Sequence, residues 1–206
     1  MEEIKSFFRK YRCYATVLLI IANVVWFLYM EIHGDINTNE GMLSCGAMLS
    51  DAIEKGNYSQ LITAIFVHFD IQHIANNMLL LLVMGAMLEC HMGSIRFLII
   101  YFLGGIGGNV ISAYWHMSEG NIVLSAGASG AIFGIVGGFL AALILNKGKI
   151  QDMTARKLIV FVVLSLYQGF ASQGIDNAAH VGGFICGFVV AAICEFTRKD
   201  RYRHES

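Results

Sequence analysis

Apolar residues come in long blocks, broken by short clusters of charge, from Tyr14 almost to the C-terminal end. The blocks predict membrane-crossing helices near 14–32, 71–89, 97–115, 122–145, 158–171 and 178–196. The fifth, Leu158 to Ala171, is short for a full crossing. The first has a long core, Tyr14 to Met30, and no small-residue cleavage site after it, so it is expected to stay as a helix rather than be removed as a signal. The connection from about 33 to 70 is too long for a simple link in a compact bundle. Its stretch Leu61-Ile62-Thr63-Ala64-Ile65-Phe66-Val67 is too apolar for water and too short to span. It is expected to lie partly inserted at the interface, its backbone covered by protein. No internal repeat is evident, which weighs against an inverted-repeat transporter.

Composition fits one compact membrane bundle in 206 residues: 56% of the chain is hydrophobic and only 14% charged, with a mean hydropathy of +0.62. Proline is absent while glycine occurs 22 times, the composition of unbroken helices that approach one another closely. The cysteines, Cys13, Cys45, Cys90, Cys186 and Cys194, have neither disulfide-framework nor zinc spacing. The net charge of −1 says nothing about partners, but its distribution does. Every lysine and arginine except Lys55 falls before the first span, after the sixth, or in the connections after the second and fourth. The positive-inside rule then puts both termini in the cytoplasm and requires an even number of spans. The expected organisation is a cytoplasmic segment 1–13, a six-helix membrane domain 14–196 and a basic cytoplasmic tail 197–206.

With that orientation, spans two, four and six all run inward, and their first turns share the outer leaflet. Span two carries His73 and Asn77, span four Ser129, and span six His180. Polar residues inside spans are costly and by default functional. Span four has small residues every fourth position (Gly130, Gly134, Gly138, Ala142), and so does span six (Gly183, Gly187, Ala191), so two smooth stripes can meet. Packing accounts for the glycines; it does not account for a buried histidine, which must be satisfied or neutral. Ser129, flanked by Gly127 and Gly130, is placed on the order of 10 Å along its helix. Alone it would read as an interface serine bonding to its own helix. Paired with His180 it reads as a nucleophile with its general base and acid. Backbone N–H groups and the helix dipole would face a developing oxyanion, and the Asn77 amide is a neutral donor to it. Ser125 is a weaker nucleophile, nearer the surface. Asp176 is expected at an exposed loop edge, so a dyad is favoured over a triad, with Phe133 stacking on the histidine ring. His68 and His73 could suggest a metal pair, but no third ligand of suitable type lies nearby. His33, His91, His116 and His204 are given no role. No cofactor and no nucleic-acid partner are implied.

Four motifs in order carry a resemblance: His68-x4-His73-x3-Asn77-Met78, Gly85-x3-Glu89, Gly127-Ala128-Ser129-Gly130 and Ala179-His180-x2-Gly183-x3-Gly187. Together, over roughly 58–195, they resemble the rhomboid intramembrane serine proteases. The resemblance implies an all-α membrane protein, a six-transmembrane-helix rhomboid-like bundle with a partly inserted first external loop. It implies Ser129 and His180 as catalytic dyad and Asn77, His73 and the backbone at the serine as oxyanion hole. His68 is then a supporting position and Glu89 a structural one. It further implies cleavage of transmembrane protein substrates near the external face of the lipid bilayer, with the fifth span as a mobile gate. A multi-pass protein of a bacterial cell membrane is the expected setting, and a non-catalytic relative that binds and guides transmembrane helices is the alternative. Two positions depart from the family pattern. Its usual Trp-Arg pair in the first loop is Ser59-Gln60 or Tyr58-Ser59 here, and the tyrosine often found four residues after the nucleophile is Phe133.

Overall fold

The computed structural model describes residues 13–34, 36–146, 149–150, 153–154, 156, 158 and 175–204. Helix α1 spans Tyr14–His33; a short α2, Asn39–Ser44, leads to strand β1, Met48–Leu49, and a 3-10 turn at Ser50–Ala52. After α3, Gln60–Thr63, come α4, Ile71–Leu80, a π-helical turn at Leu81–Gly85, and α5, Ala86–Met92, as one continuous rod. Helix α6 is Ser94–Ser118, β2 Leu124–Ser125 and α7 Ser129–Leu145. Two short strands, β3 at Lys149–Ile150 and β4 at Met153–Thr154, form a hairpin, and α8 is Asn177–His204. Among the described residues, four helices are long and apolar enough to cross a membrane: Tyr14–His33, Ile71–Met92, Ser94–Ser118 and Asn177–Thr197. The expected fifth span, 158–171, lies outside the described residues apart from Leu158, and the basic segment 1–12 lies outside them too.

Large apolar residues fill the core of the bundle and also cover its outside. Helix α1 buries one stripe, Leu19, Asn23, Phe27 and Met30, spaced at about one turn. Its other faces expose Leu18, Val25 and Ile32. Ile99, Leu103, Ile185, Val189 and Ile193 do the same on α6 and α8. Such an exterior is stable only where the solvent is hydrocarbon. Inside, α6, α7 and α8 pack most extensively on one another. A Cβ on Gly183 would overlap the Gly130 carbonyl oxygen, and one on Gly187 that of Gly134. The two stripes read from the sequence therefore do face each other. A third helix joins them, because a Cβ on Gly104 of α6 would lie 2.8 Å from the Gly134 Cα. Close backbone approach maximises van der Waals contact where no hydrophobic effect drives association.

One expectation needs correction. The run 122–145 is not a single helix: α7 starts only at Ser129, so the serine is its first residue and not a position some 10 Å along it. Two features stop the helix from starting earlier. Leu124 and Ser125 pair antiparallel with Leu49 and Met48, and Gly127 sits at φ +129°, a conformation open to glycine and rare for other residues. The segment therefore reaches the helix as extended chain. The first long connection is covered by protein, as its apolarity requires. Ala64, Ile65 and Val67 are buried, and Asn109 donates to the Leu61 carbonyl (2.9 Å). Where the family's Trp-Arg pair is missing, Gln60 Oε1 accepts from the Leu49 N–H (3.2 Å), and Thr63 Oγ1 donates to the Gly46 carbonyl (2.7 Å).

At the opposite end of the bundle from Ser129, the buried Glu89 carboxylate closes the start of α1. It accepts from Ala15 N (2.9 Å), Thr16 N (2.8 Å), Thr16 Oγ1 (2.7 Å) and Ser94 Oγ (2.6 Å). The two N–H groups are ones a helix cannot satisfy for itself, and a carboxyl group at that end suits the helix dipole. Glu89→Ala leaves two buried backbone donors unpaired and should cost about 3 kcal/mol or more. A thermal unfolding midpoint in detergent equal to wild type would refute this account.

Candidate active site

Each polar residue at the Ser129 end is held by a local feature of its own segment. Asp70 caps α4 through its carboxylate, which accepts from the His73 N–H (2.8 Å). That fixes the first turn carrying His73, with Asn77 one turn later on the same face. The His73 ring stacks on Phe69 (centroids 5.8 Å apart, planes 11°) and meets His68 edge-on at 5.1 Å. His68 is fully buried. Its Nδ1 lies 3.2 Å from the Phe66 carbonyl, and its Nε2 accepts from the Ala128 N–H at 3.5 Å. Donation from Nδ1 and acceptance at Nε2 describe one neutral tautomer. Burial, reinforced by His73, pushes the His68 pKa down to about 3, so the ring carries no charge near neutral pH.

The serine strand arrives between these groups. Gly127 N–H donates to the Ala64 carbonyl (2.9 Å). A Cβ on Gly127 would lie 2.9 Å from His73 Nε2 and 3.6 Å from Asn77 Nδ2. The space a side chain would fill at Gly127 is thus bordered by two polar groups from α4. Asn77 Nδ2 is buried and has no hydrogen-bond partner among the described residues. A buried donor left unmet costs free energy. Beside it, Ile132 N–H makes the first α7 bond, to the Ala128 carbonyl. The N–H groups ahead of it have no acceptor within their own helix.

Across the α7–α8 seam, His180 Nε2 and Ser129 Oγ are 2.9 Å apart. Phe133, one turn below Ser129, stacks on the His180 ring with centroids 4.3 Å apart and planes at 11°. The hydroxyl the family often carries at this position is absent, but the ring surface is kept. His180 Nδ1 is buried without a partner among the described residues, so no carboxylate there completes a triad. The structure thus brings together Ser129, His180, Phe133, Gly127, His73, Asn77 and His68, from four separate segments.

Two expectations about the neighbours are overturned. Asp176 is not exposed: it is largely buried and accepts hydrogen bonds from Ser112, Ser125 and the Ala179 N–H. Ser125 does not lie near the surface but is buried, with its hydroxyl engaged by that carboxylate. His116, given no role from the sequence, lies 3.5 Å from Asp176, and His91 bonds the buried Glu195. Phe69, stacked on His73, carries no sequence signal of its own, and Asp176 reads from the sequence only as an exposed residue. The four-residue spacing of Asp176 from His180 was a visible signal, but its burial depends on serines from other segments.

A family model, the Rhomboid domain, matches residues 55–195. Rhomboid protease GluP of Bacillus subtilis (strain 168) is 37% identical over 177 residues, covering 86% of this chain and 34% of the relative. Rhomboid protease AarA of Providencia stuartii is 29% identical over 199 residues (85% and 70%). Putative rhomboid protease YdcA of Bacillus subtilis (strain 168) is 26% identical over 202 residues, covering 98% of both chains. Against several relatives, GluP among them, the chain spans only about a third to a half of their length. Matched over most of its length and built from apolar helices that only a bilayer can solvate, the chain belongs to the rhomboid family of integral membrane proteins.

Proposed function

We propose that this protein is an intramembrane serine endopeptidase that cleaves transmembrane or juxtamembrane segments near the external face. Ser129 is the nucleophile and His180 the general base and acid. The observation that carries the reading is the 2.9 Å contact between Ser129 Oγ and His180 Nε2, at the start of a helix and between elements packed for a membrane. In this mechanism Nε2 takes the hydroxyl proton as Oγ attacks the scissile carbonyl carbon. The new C–O bond forms as the carbonyl π pair moves onto oxygen. That oxyanion receives donors from Asn77 Nδ2, the His73 ring and the α7 N-terminal backbone. Collapse breaks the C–N bond, and His180 hands its proton to the leaving amine. A water, deprotonated by the same imidazole, then hydrolyses the acyl-serine. Gly127 leaves room for the substrate backbone, His68 supports the strand at Ala128, and Phe133 holds the base in plane.

The topology belongs to the same proposal. It has six spans, with a fifth near 158–171 as the gate, both termini cytoplasmic, a 1–13 segment, a 14–196 domain and a 197–206 tail. The partition of the basic residues supports it. One consequence is specific to the oxyanion role. Asn77→Ala should lower kcat about 100-fold while leaving the unfolding midpoint unchanged, because the lost donor has no partner among the described residues. Turnover of a reconstituted transmembrane substrate at the wild-type rate would remove Asn77 from that role.

A further inference from the structure

Asp176 joins three segments on one carboxylate. Oδ1 accepts from the Ala179 N–H (2.9 Å) and so caps α8. Oδ2 accepts from Ser125 Oγ on β2 (2.7 Å) and from Ser112 Oγ on α6. His116 Nε2, also on α6, lies 3.5 Å from Oδ1. Burial alone would raise its pKa, but the two hydroxyls, the Ala179 N–H and the His116 imidazole outweigh it and hold the carboxyl below the ordinary range. It is therefore ionised near neutral pH, and an ionised carboxylate has the acceptor sites that three donors require.

Its place in the chain gives this cluster a consequence for the dyad. The Asp176 backbone carbonyl accepts from the His180 N–H (3.2 Å), one helical turn on. Ser125, held by the side chain of the same residue, lies one short strand before Ser129. One residue is thus bonded both to the helix carrying the base and to the strand delivering the nucleophile, without touching the Ser129–His180 contact. Small-residue packing lets α7 and α8 come close, but smooth surfaces resist sliding poorly. Directional, charge-assisted hydrogen bonds set the register.

We propose that Asp176 is a positioning residue that locks the nucleophile's strand against the base's helix through Ser125 and Ser112. This rests on the dyad reading above. Asp176→Asn tests it, because asparagine caps a helix as well as aspartate does while replacing the charged acceptor by a neutral amide. Three quantities are measured on the purified full chain: the rate of labelling by a fluorophosphonate probe, kcat and KM for a reconstituted transmembrane substrate, and the thermal midpoint. The expected result is a fall of about tenfold in labelling rate and kcat, with KM and midpoint unchanged. Ser125→Ala should reproduce part of the loss, and the double variant should be no slower than Asp176→Asn, since both act through one contact.

Wild-type labelling rate and kcat in Asp176→Asn would overturn the positioning role and leave the dyad standing. Absence of labelling in the wild-type chain would overturn both. If Asp176→Asn does not fold, Ser125→Ala, which keeps the cap, decides alone. A reduced kcat at unchanged midpoint supports the role, and an unchanged kcat overturns it.

Discussion

Ser129→Ala should abolish fluorophosphonate labelling and reduce cleavage of a transmembrane substrate by on the order of 10⁴-fold or more. The change deletes the only protein atom in the proposed mechanism that bonds to the substrate carbonyl carbon. It should do little else. Ser129 opens a helix in which alanine is at home. The lost contact to His180 has a net worth of about 0.5–1.5 kcal/mol. The variant should therefore be recovered from membranes in wild-type amount, with a similar unfolding midpoint. Undiminished cleavage by it would place the nucleophile elsewhere. Ser125 would not be the replacement, since its hydroxyl is committed to Asp176. Failure of the wild-type chain to label or cleave, alongside retained binding of transmembrane helices, would favour a non-catalytic helix-binding relative.

The second large effect is expected far from any reacting atom. Gly183→Ala should lower kcat at least 100-fold, although a single methyl is added three residues beyond the histidine. That methyl would overlap the Gly130 carbonyl oxygen and lie 2.9 Å from its carbon. Both are backbone atoms that cannot rotate away. Gly134 of α7 and Gly104 of α6 meet at the same seam, so the added methyl disturbs a three-helix contact. The seam must open by roughly 1 Å, which takes the 2.9 Å serine–histidine contact out of hydrogen-bond range. A misplacement of that size costs about 100-fold in rate, and overpacking costs about 1–3 kcal/mol of stability. Gly130→Ala is the control. The nearest atoms to its added methyl are Ala179 O at 3.6 Å and Ala179 Cβ at 3.9 Å, ordinary contacts, so the fold should accept it without a lower midpoint. Equal thermal behaviour and equal rates for Gly183→Ala and wild type would show that the seam is compliant, contrary to the close packing described.

The sites at which sequence reading worked share a physical character. The helices at 14–33, 71–92, 94–118 and 177–197 are dictated by length and apolarity, which are local quantities. The small-residue stripes are periodic and equally local. Asn77, Ser129 and His180 are each a polar group inside an apolar run, where its cost makes it conspicuous, and the structure brings these three to one end of the bundle; their roles belong to the proposal. Phe133 was placed by counting one turn from Ser129. Reading failed where a position depends on another segment. Whether the residues before Ser129 are helix or strand is decided by pairing with Met48 and Leu49, more than seventy positions away. Gln60 looks like the loss of a loop anchor until the Leu49 N–H is seen on its side chain.

The sequence by itself determined that this chain is a bundle of apolar helices, which residues in it could do chemistry, and the family whose motifs it carries. Hydropathy and spacing are properties of single segments and need no partner to be read. Only the tertiary structure decided that α6 joins α7 and α8 at one glycine seam, that Ser129 opens its helix instead of lying within it, and that Asp176 is buried under three hydroxyl and amide donors. Those outcomes depend on hydrogen bonds and sub-ångström packing between segments far apart along the chain. In a membrane interior the backbone donors and acceptors must be met within the protein, and many of those partners lie on other segments.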